Sequence, residues 1–218
     1  MKSQVKLSLL LVAVVAVVIA GLLAFAGRDS SDANPSAGAS DTRLVREDSR
    51  VIGQPGSTDV VLVEFLDFEC EACRAAYPIV EQLREKYGDQ VTFVARYFPL
   101  PGHYNSERAA RAVESAARQG KFDQMYQKMY ETQESWGEQR VPLDDFFRDL
   151  AQGIGLDMET FDADYGSAEV AERVQRDVAD GTSLGVQGTP TFFLDGERLQ
   201  PESSADFENA IADALASR

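Results

Sequence analysis

The sequence predicts an α/β domain built on one mixed sheet that a block of helices interrupts. Three observations predict it. Val60–Leu66 is a nearly continuous apolar run, the pattern of a central strand covered on both faces. The elements follow the order β-α-β, then a long block of helices, then β-β-α, and two strands at each end cannot make two separate sheets of useful size. From residue 48 to Arg218 enough chain remains for one well-buried core.

Each element has a local reason. After Val60–Leu66, apolar spacing predicts a helix from Glu71 to about Tyr87, ending before Gly88. Val91–Phe98 is a second β-type run, closed by Pro99-Leu100-Pro101-Gly102. Helices are expected over Ser106–Gln119 and Lys121–Gln133, with Gly120 between them. Shorter ones follow over Leu143–Ala151 and Met158–Asp164, and a longer one from Ala168 to about Asp180. Thr191–Leu194 is a strand, Asp195-Gly196 marks a hairpin turn, and Arg198–Gln200 returns. The last helix covers Ser203–Ser217, where Ser203 and Asp206 make a capping-box pattern. Phe122, Tyr126, Tyr130 and Trp136 fall at helical spacing and are expected in the core, the alternative being the border of an apolar groove.

The N-terminus addresses the chain to a membrane. Leu7–Gly27 is apolar except for Ser8, long enough as a helix to cross about 30 Å of hydrocarbon. Lys2 and Lys6 precede it, so residues 1–6 are expected in the cytoplasm and the rest outside. Ala24-Phe25-Ala26 offers a signal-peptidase site, but the run exceeds the usual signal core, which favours a retained single-pass anchor in the cell membrane. Residues 28–47 are rich in Ser, Asp, Ala and Gly and read as a flexible linker. Residues 48–218 then work in an extracytoplasmic space where thiols can be oxidised.

Composition removes several function classes. The 218 residues carry 21 Lys+Arg and 36 Asp+Glu, a net charge of −15, so binding to nucleic acid is not expected. Two cysteines and one histidine exclude both a four-ligand Cys/His zinc site and a disulfide-rich scaffold.

Those two cysteines form Cys70-Glu71-Ala72-Cys73, directly after the apolar strand at the start of a helix. Three residues apart on a helix, the side chains share a face and lie within bridging range. A loop this short stabilises a fold by only about 2 kcal/mol, so reversible chemistry explains the pair better than a structural staple. A metal site, with His103 as the further ligand, and a purely structural bridge are the alternatives. Cys70, near the helix N-cap, is the expected nucleophile and the more exposed thiol; Cys73 is the resolving thiol. Glu69 and Glu71 flank Cys70 and oppose a thiolate, so only mild acidification is expected. His103, ahead of a helix, is expected as a capping or surface residue.

The segment Val63-Glu64-Phe65-Leu66-Asp67-Phe68-Glu69-Cys70-Glu71-Ala72-Cys73 resembles the strand, turn and CxxC of the thioredoxin superfamily. Val186-Gln187-Gly188-Thr189-Pro190-Thr191-Phe192-Phe193-Leu194-Asp195-Gly196 resembles its cis-proline segment. The residues at about 104–184 resemble the helical insertion of DsbA-like thiol:disulfide interchange proteins, many of them membrane-anchored. The resemblance covers 48–218 and implies a thioredoxin-like fold with an inserted helical domain. It implies a redox-active Cys70–Cys73 disulfide, and a cis peptide before Pro190 that lies against it. The Thr189 backbone would be free to pair with an extended substrate. Glu64 would be a buried carboxylate passing a proton to the resolving thiol. A lone Glu in an apolar strand is costly to bury, which fits such a role, the alternative being a solvent-facing position at the sheet end. Pro78 matches a helix-kinking proline.

The activity implied is disulfide formation in exported, partly unfolded proteins with free thiols. No bound cofactor or metal is implied, and electrons would pass to a membrane redox partner of the DsbB or VKOR-like kind. DsbA-type oxidases often carry His between the cysteines; Glu71-Ala72 here argues for a moderate oxidant. A reductase or isomerase is the alternative within the class, and a non-catalytic peptide-binding module the alternative outside it.

Overall fold

The computed structural model describes residues 41–218. The expected membrane span at 7–27, the residues before it and the linker up to residue 40 lie outside the described residues. Among the described residues no helix is long and apolar enough to cross a membrane.

Five strands make one mixed sheet in the order β1-β3-β2-β4-β5. They are β1 (Arg50–Val51), β2 (Val61–Leu66), β3 (Thr92–Tyr97), β4 (Thr191–Leu194) and β5 (Glu197–Leu199). β2 and β3 run parallel, connected through α1 (Glu71–Tyr87). The pairs β1/β3, β2/β4 and β4/β5 are antiparallel. Between β3 and β4 comes the expected insertion: α2 (Ser106–Arg118), α3 (Phe122–Trp136), α4 (Asp144–Gly153), α5 (Met158–Tyr165) and α6 (Ala168–Ser183). α7 (Ser204–Ala216) closes the chain.

The continuous apolar run of β2 is buried on both faces. Leu62 and Leu66 join one core with Val80 and Leu83 of α1 and the aromatics of α3. Val63 and Phe65 join the other, with Leu44, Phe98 and Val186. Alternation along the strand puts Glu64 on the face of Leu62 and Leu66, beneath the helices. Phe122, Tyr126, Tyr130 and Trp136 are buried in that first core, as expected. The turn Asp195-Gly196 has positive φ at both residues, 50° and 93°, as a two-residue hairpin of this kind requires. The capping box of α7 closes in both directions: Asp206 N–H donates to Ser203 Oγ, and Ser203 N–H to Asp206 Oδ2.

The folded body starts earlier than expected. Leu44 is buried. Arg96 of β3 donates to the Arg43 and Leu44 carbonyls at 2.6 Å each, and Arg46 pairs with Asp180 of α6. Residues 41–47 therefore belong to the domain, not to the linker. The contacts that hold them come from distant parts of the chain, so local composition hides them. β1 was unseen for the same reason, since two residues show no alternation.

α6 crosses β2 closely at Gly181. A Cβ there would stand 2.8 Å from Phe98 and 2.9 Å from Phe65. Gly181→Ala is expected to cost about 1–3 kcal/mol by overpacking, read as a lower urea midpoint at unchanged m.

Candidate active site

Cys70 is the N-cap residue of α1, and Cys73 sits in its first turn. The first N–H groups of that turn have no acceptor within the helix, and those of Ala72 and Cys73 act on the Cys70 sulfur. Cys70 is 7% exposed and Cys73 fully buried. Cys70 Sγ lies 3.4 Å from the Thr189 carbonyl oxygen, to which the thiol donates. Cys73 Sγ accepts the Asp67 N–H at 3.5 Å.

The two thiols differ sharply in acidity. Cys70 is pulled down to about 5, first by a hydrogen bond from the Cys73 thiol, against the opposing effect of burial, and then by the Thr189 side chain and the Cys73 and Ala72 amides. Burial pushes Cys73 well above its ordinary value. The acidification of Cys70 exceeds the mild shift expected from its acidic neighbours. One of them is already engaged: Glu69 accepts the Asn105 N–H at 2.6 Å and the Glu138 N–H at 3.1 Å. Burial raises the Glu69 pKa, and the two amide hydrogen bonds oppose that shift.

Glu64 is 3% exposed, and its Oε2 has no hydrogen-bond partner among the described residues. In register it lies between Ala95 and Phe192. Burial, then the charges of Cys70 and Glu81, raise it to about 8. Its charge in turn bears on Cys73. The solvent-facing alternative for Glu64 is thereby corrected: β2 is the central strand, so neither of its faces meets water.

The Thr189–Pro190 peptide is cis. The structure thus gathers Cys70, Cys73 and Thr189-Pro190 at one end of β2 and β4, with Glu64 below them inside the sheet.

Other residues were not singled out as site residues. Gln133 of α3, buried, donates through Nε2 to the Phe68 carbonyl at 2.7 Å and the Cys70 carbonyl at 2.9 Å. It fixes the loop before Cys70 to the helical insertion. A signal existed: Gln133 continues the buried stripe of Tyr126, Met129 and Tyr130, where a polar side chain needs a partner. Asp67 is buried and accepts from Glu69 N–H (2.8 Å) and Leu100 N–H (2.9 Å). Asn105 N–H holds Glu69, and its Nδ2 donates to the Gln139 and Val141 carbonyls. His103 is neither a cap nor a free surface residue. Its Nδ1 lies 2.6 Å from Asp67 Oδ2, with a quarter of the side chain exposed.

Known proteins share this fold. A thioredoxin-like oxidoreductase from Silicibacter pomeroyi superposes with a TM-score of 0.69 at 27% identity, over 82% of this chain and 99% of that one. BdbD from Bacillus subtilis gives 0.67 at 19% identity over 83% and 97% of the two chains. The thiol-disulfide exchange protein α-DsbA2 from Wolbachia pipientis gives 0.67 at 18%, over 80% and 90%. At those lower identities the likeness speaks for the fold alone, which is that of thiol–disulfide oxidoreductases. The Na(+)/H(+) antiporter NhaA of Herminiimonas arsenicoxydans is 36% identical over 160 residues, 73% of this chain and 24% of the antiporter. The chain thus spans about a quarter of the length of the curated relatives it matches, and that name describes the longer protein. The family model described as Thioredoxin matches residues 46–213. That match runs from Arg46 in the clamped segment to Asp213 in the last helix and takes in the sheet with its insertion, so the chain belongs to the thioredoxin family.

Proposed function

We propose that this protein is a thiol–disulfide oxidoreductase that forms disulfides in exported proteins through the Cys70–Cys73 pair. The observation that carries the reading is the asymmetry of the thiols. One is acidified at a helix N-terminus beside the Thr189 carbonyl, and the other is buried three residues on.

In the forward direction the pair starts as a disulfide. A substrate thiolate attacks Cys70 Sγ, forming a substrate–Cys70 bond and breaking the Cys70–Cys73 bond. Cys73 leaves as a thiolate and takes a proton, which in this proposal comes from the protonated carboxyl of buried Glu64. A second substrate thiolate attacks the substrate sulfur of the mixed disulfide, and Cys70 leaves as a thiolate. The substrate is oxidised by two electrons and the pair reduced by two. A stable Cys70 thiolate favours the reduced pair, so its disulfide is an oxidant; this supports oxidation over reduction or isomerisation. The Thr189 backbone beside Cys70 offers an extended substrate a strand-like partner.

The site of action in this proposal is outside the cell membrane, with Leu7–Gly27 as anchor and Lys2 and Lys6 on the cytoplasmic side. A membrane redox partner of the DsbB or VKOR-like kind accepts the two electrons and restores the disulfide. The test mixes the oxidised protein with a reduced, unfolded substrate and follows free thiols. Stoichiometric thiol loss is expected with wild type and none with Cys70→Ser. Equal behaviour of the two proteins, or no thiol loss with either, overturns the reading.

A further inference from the structure

Neither residue between the cysteines, Glu71 or Ala72, brings positive charge to Cys70. The loop from β3 to α2 brings one from outside the motif. His103, the only histidine, hangs on the active-site turn through Asp67: Nδ1 to Oδ2 is 2.6 Å. That carboxylate cannot swing away, because main-chain N–H groups of Leu100 and Glu69 hold both of its oxygens. The backbone of His103 is pinned as well. Its N–H donates to the Leu100 carbonyl at 3.0 Å, and its own carbonyl accepts from Ser106 Oγ at 3.1 Å. Asp67 N–H, in the same residue, reaches Cys73 Sγ. One residue therefore touches the resolving sulfur through its backbone and the imidazole through its side chain.

We propose that His103, oriented by Asp67, is a positioning residue that holds a positive charge on the Cys70 thiolate from the β3–α2 loop, the place no side chain between the cysteines fills. This rests on the reading of Cys70 as the attacking sulfur. The groups facing the imidazole are Asp67, Glu69, Cys70 and Glu71 of α1, all of one sign when ionised. Pairing with Asp67, then the charges of Cys70 and Glu69, raise His103 to about 9, so it is a cation at neutral pH. The hydrogen bond from Cys73 and the amides of α1 act on the same thiolate; in the proposal the His103 charge is a further contribution.

The experiment measures the pH dependence of Cys70 alkylation by iodoacetamide, with thiolate absorbance, in reduced wild type, His103→Gln and His103→Ala. Glutamine can still donate to Asp67, so it keeps the hydrogen bond and loses only the charge. Both variants are expected to raise the Cys70 pKa, by about one unit, a tenfold change in the thiolate equilibrium. The reduction potential against glutathione should fall by about 30 mV, the equivalent of a tenfold change in K. A Gln variant that matches wild type while Ala shifts would mean that His103 serves structure alone, and overturns the proposal. So does a Cys70 pKa unchanged in both. Because alkylation needs no protein substrate, it separates this idea from the oxidation assay, where Cys70→Ser is the control.

Discussion

Arg96→Ala is expected to lower the stability of the folded domain by about 3–5 kcal/mol. Arg96 is fully buried in β3. It donates to Asp177 at 2.7 Å, to Asp180 at 2.6 Å and to the Arg43 and Leu44 carbonyls. Asp177 is also fully buried and takes the Tyr97 N–H and the Arg173 guanidinium as well. Truncating Arg96 leaves two carbonyls and part of a carboxylate pair inside the protein without their cation. The pair itself contributes less than its breakage costs, because both charges lose their water on burial. Arg96→Met combined with Asp177→Leu should therefore recover part of the loss. Urea unfolding monitored by circular dichroism reads both effects. A cost below about 1 kcal/mol for Arg96→Ala would show that the network is not what fixes residues 43–46 to β3 and α6.

Glu64→Gln is expected to move stability and rate in opposite directions. The Glu64 carboxyl ordinarily titrates at 4.5 and here stands at about 8, chiefly because it is buried. The folded state thus keeps a proton that the unfolded chain has lost. Stability falls as pH rises from about 4.5 to about 8, and the loss is complete above that window. At pH 7 the difference amounts to about 3 kcal/mol, which Gln removes because it has nothing to ionise. The Gln variant should be more stable at pH 7 and lack this slope. On the proposed mechanism it should also exchange disulfides about a hundredfold more slowly, since Cys73, itself pushed up by burial, loses its proton partner. Stopped-flow mixing with a dithiol gives the rate, and urea midpoints across pH 4–9 give the stability. A Gln variant with wild-type rates would remove Glu64 from the chemistry.

Most of the frame was legible because its signals are local. The two-faced apolar run of β2, the hairpin turn at Asp195-Gly196 and the Ser203/Asp206 box each declare themselves within a few residues. α1 begins and ends where its apolar spacing places it. The cysteines and Thr189-Pro190 were legible as motifs, although more than a hundred residues separate them. What stayed hidden depends on partners far along the chain. The clamp on residues 43–46 comes from Arg96 and Asp180, and the His103–Asp67 contact joins two loops. The acidity of Cys70 was misjudged for the same reason. Counting Glu69 and Glu71 alone leaves out the Cys73 thiol and Thr189, more than a hundred residues along the chain, which act on the Cys70 thiol.

Gln133 carries a lesson for engineering. A single amide, on a helix of the insertion, grips two carbonyls, that of Phe68 and that of the reactive Cys70 itself. The insertion is therefore part of the redox centre's scaffolding and not a detachable ornament. A chimera that trades α2–α6 for a shorter connection will keep its Cys70 loop in register only if the new piece brings a donor back to the same spot.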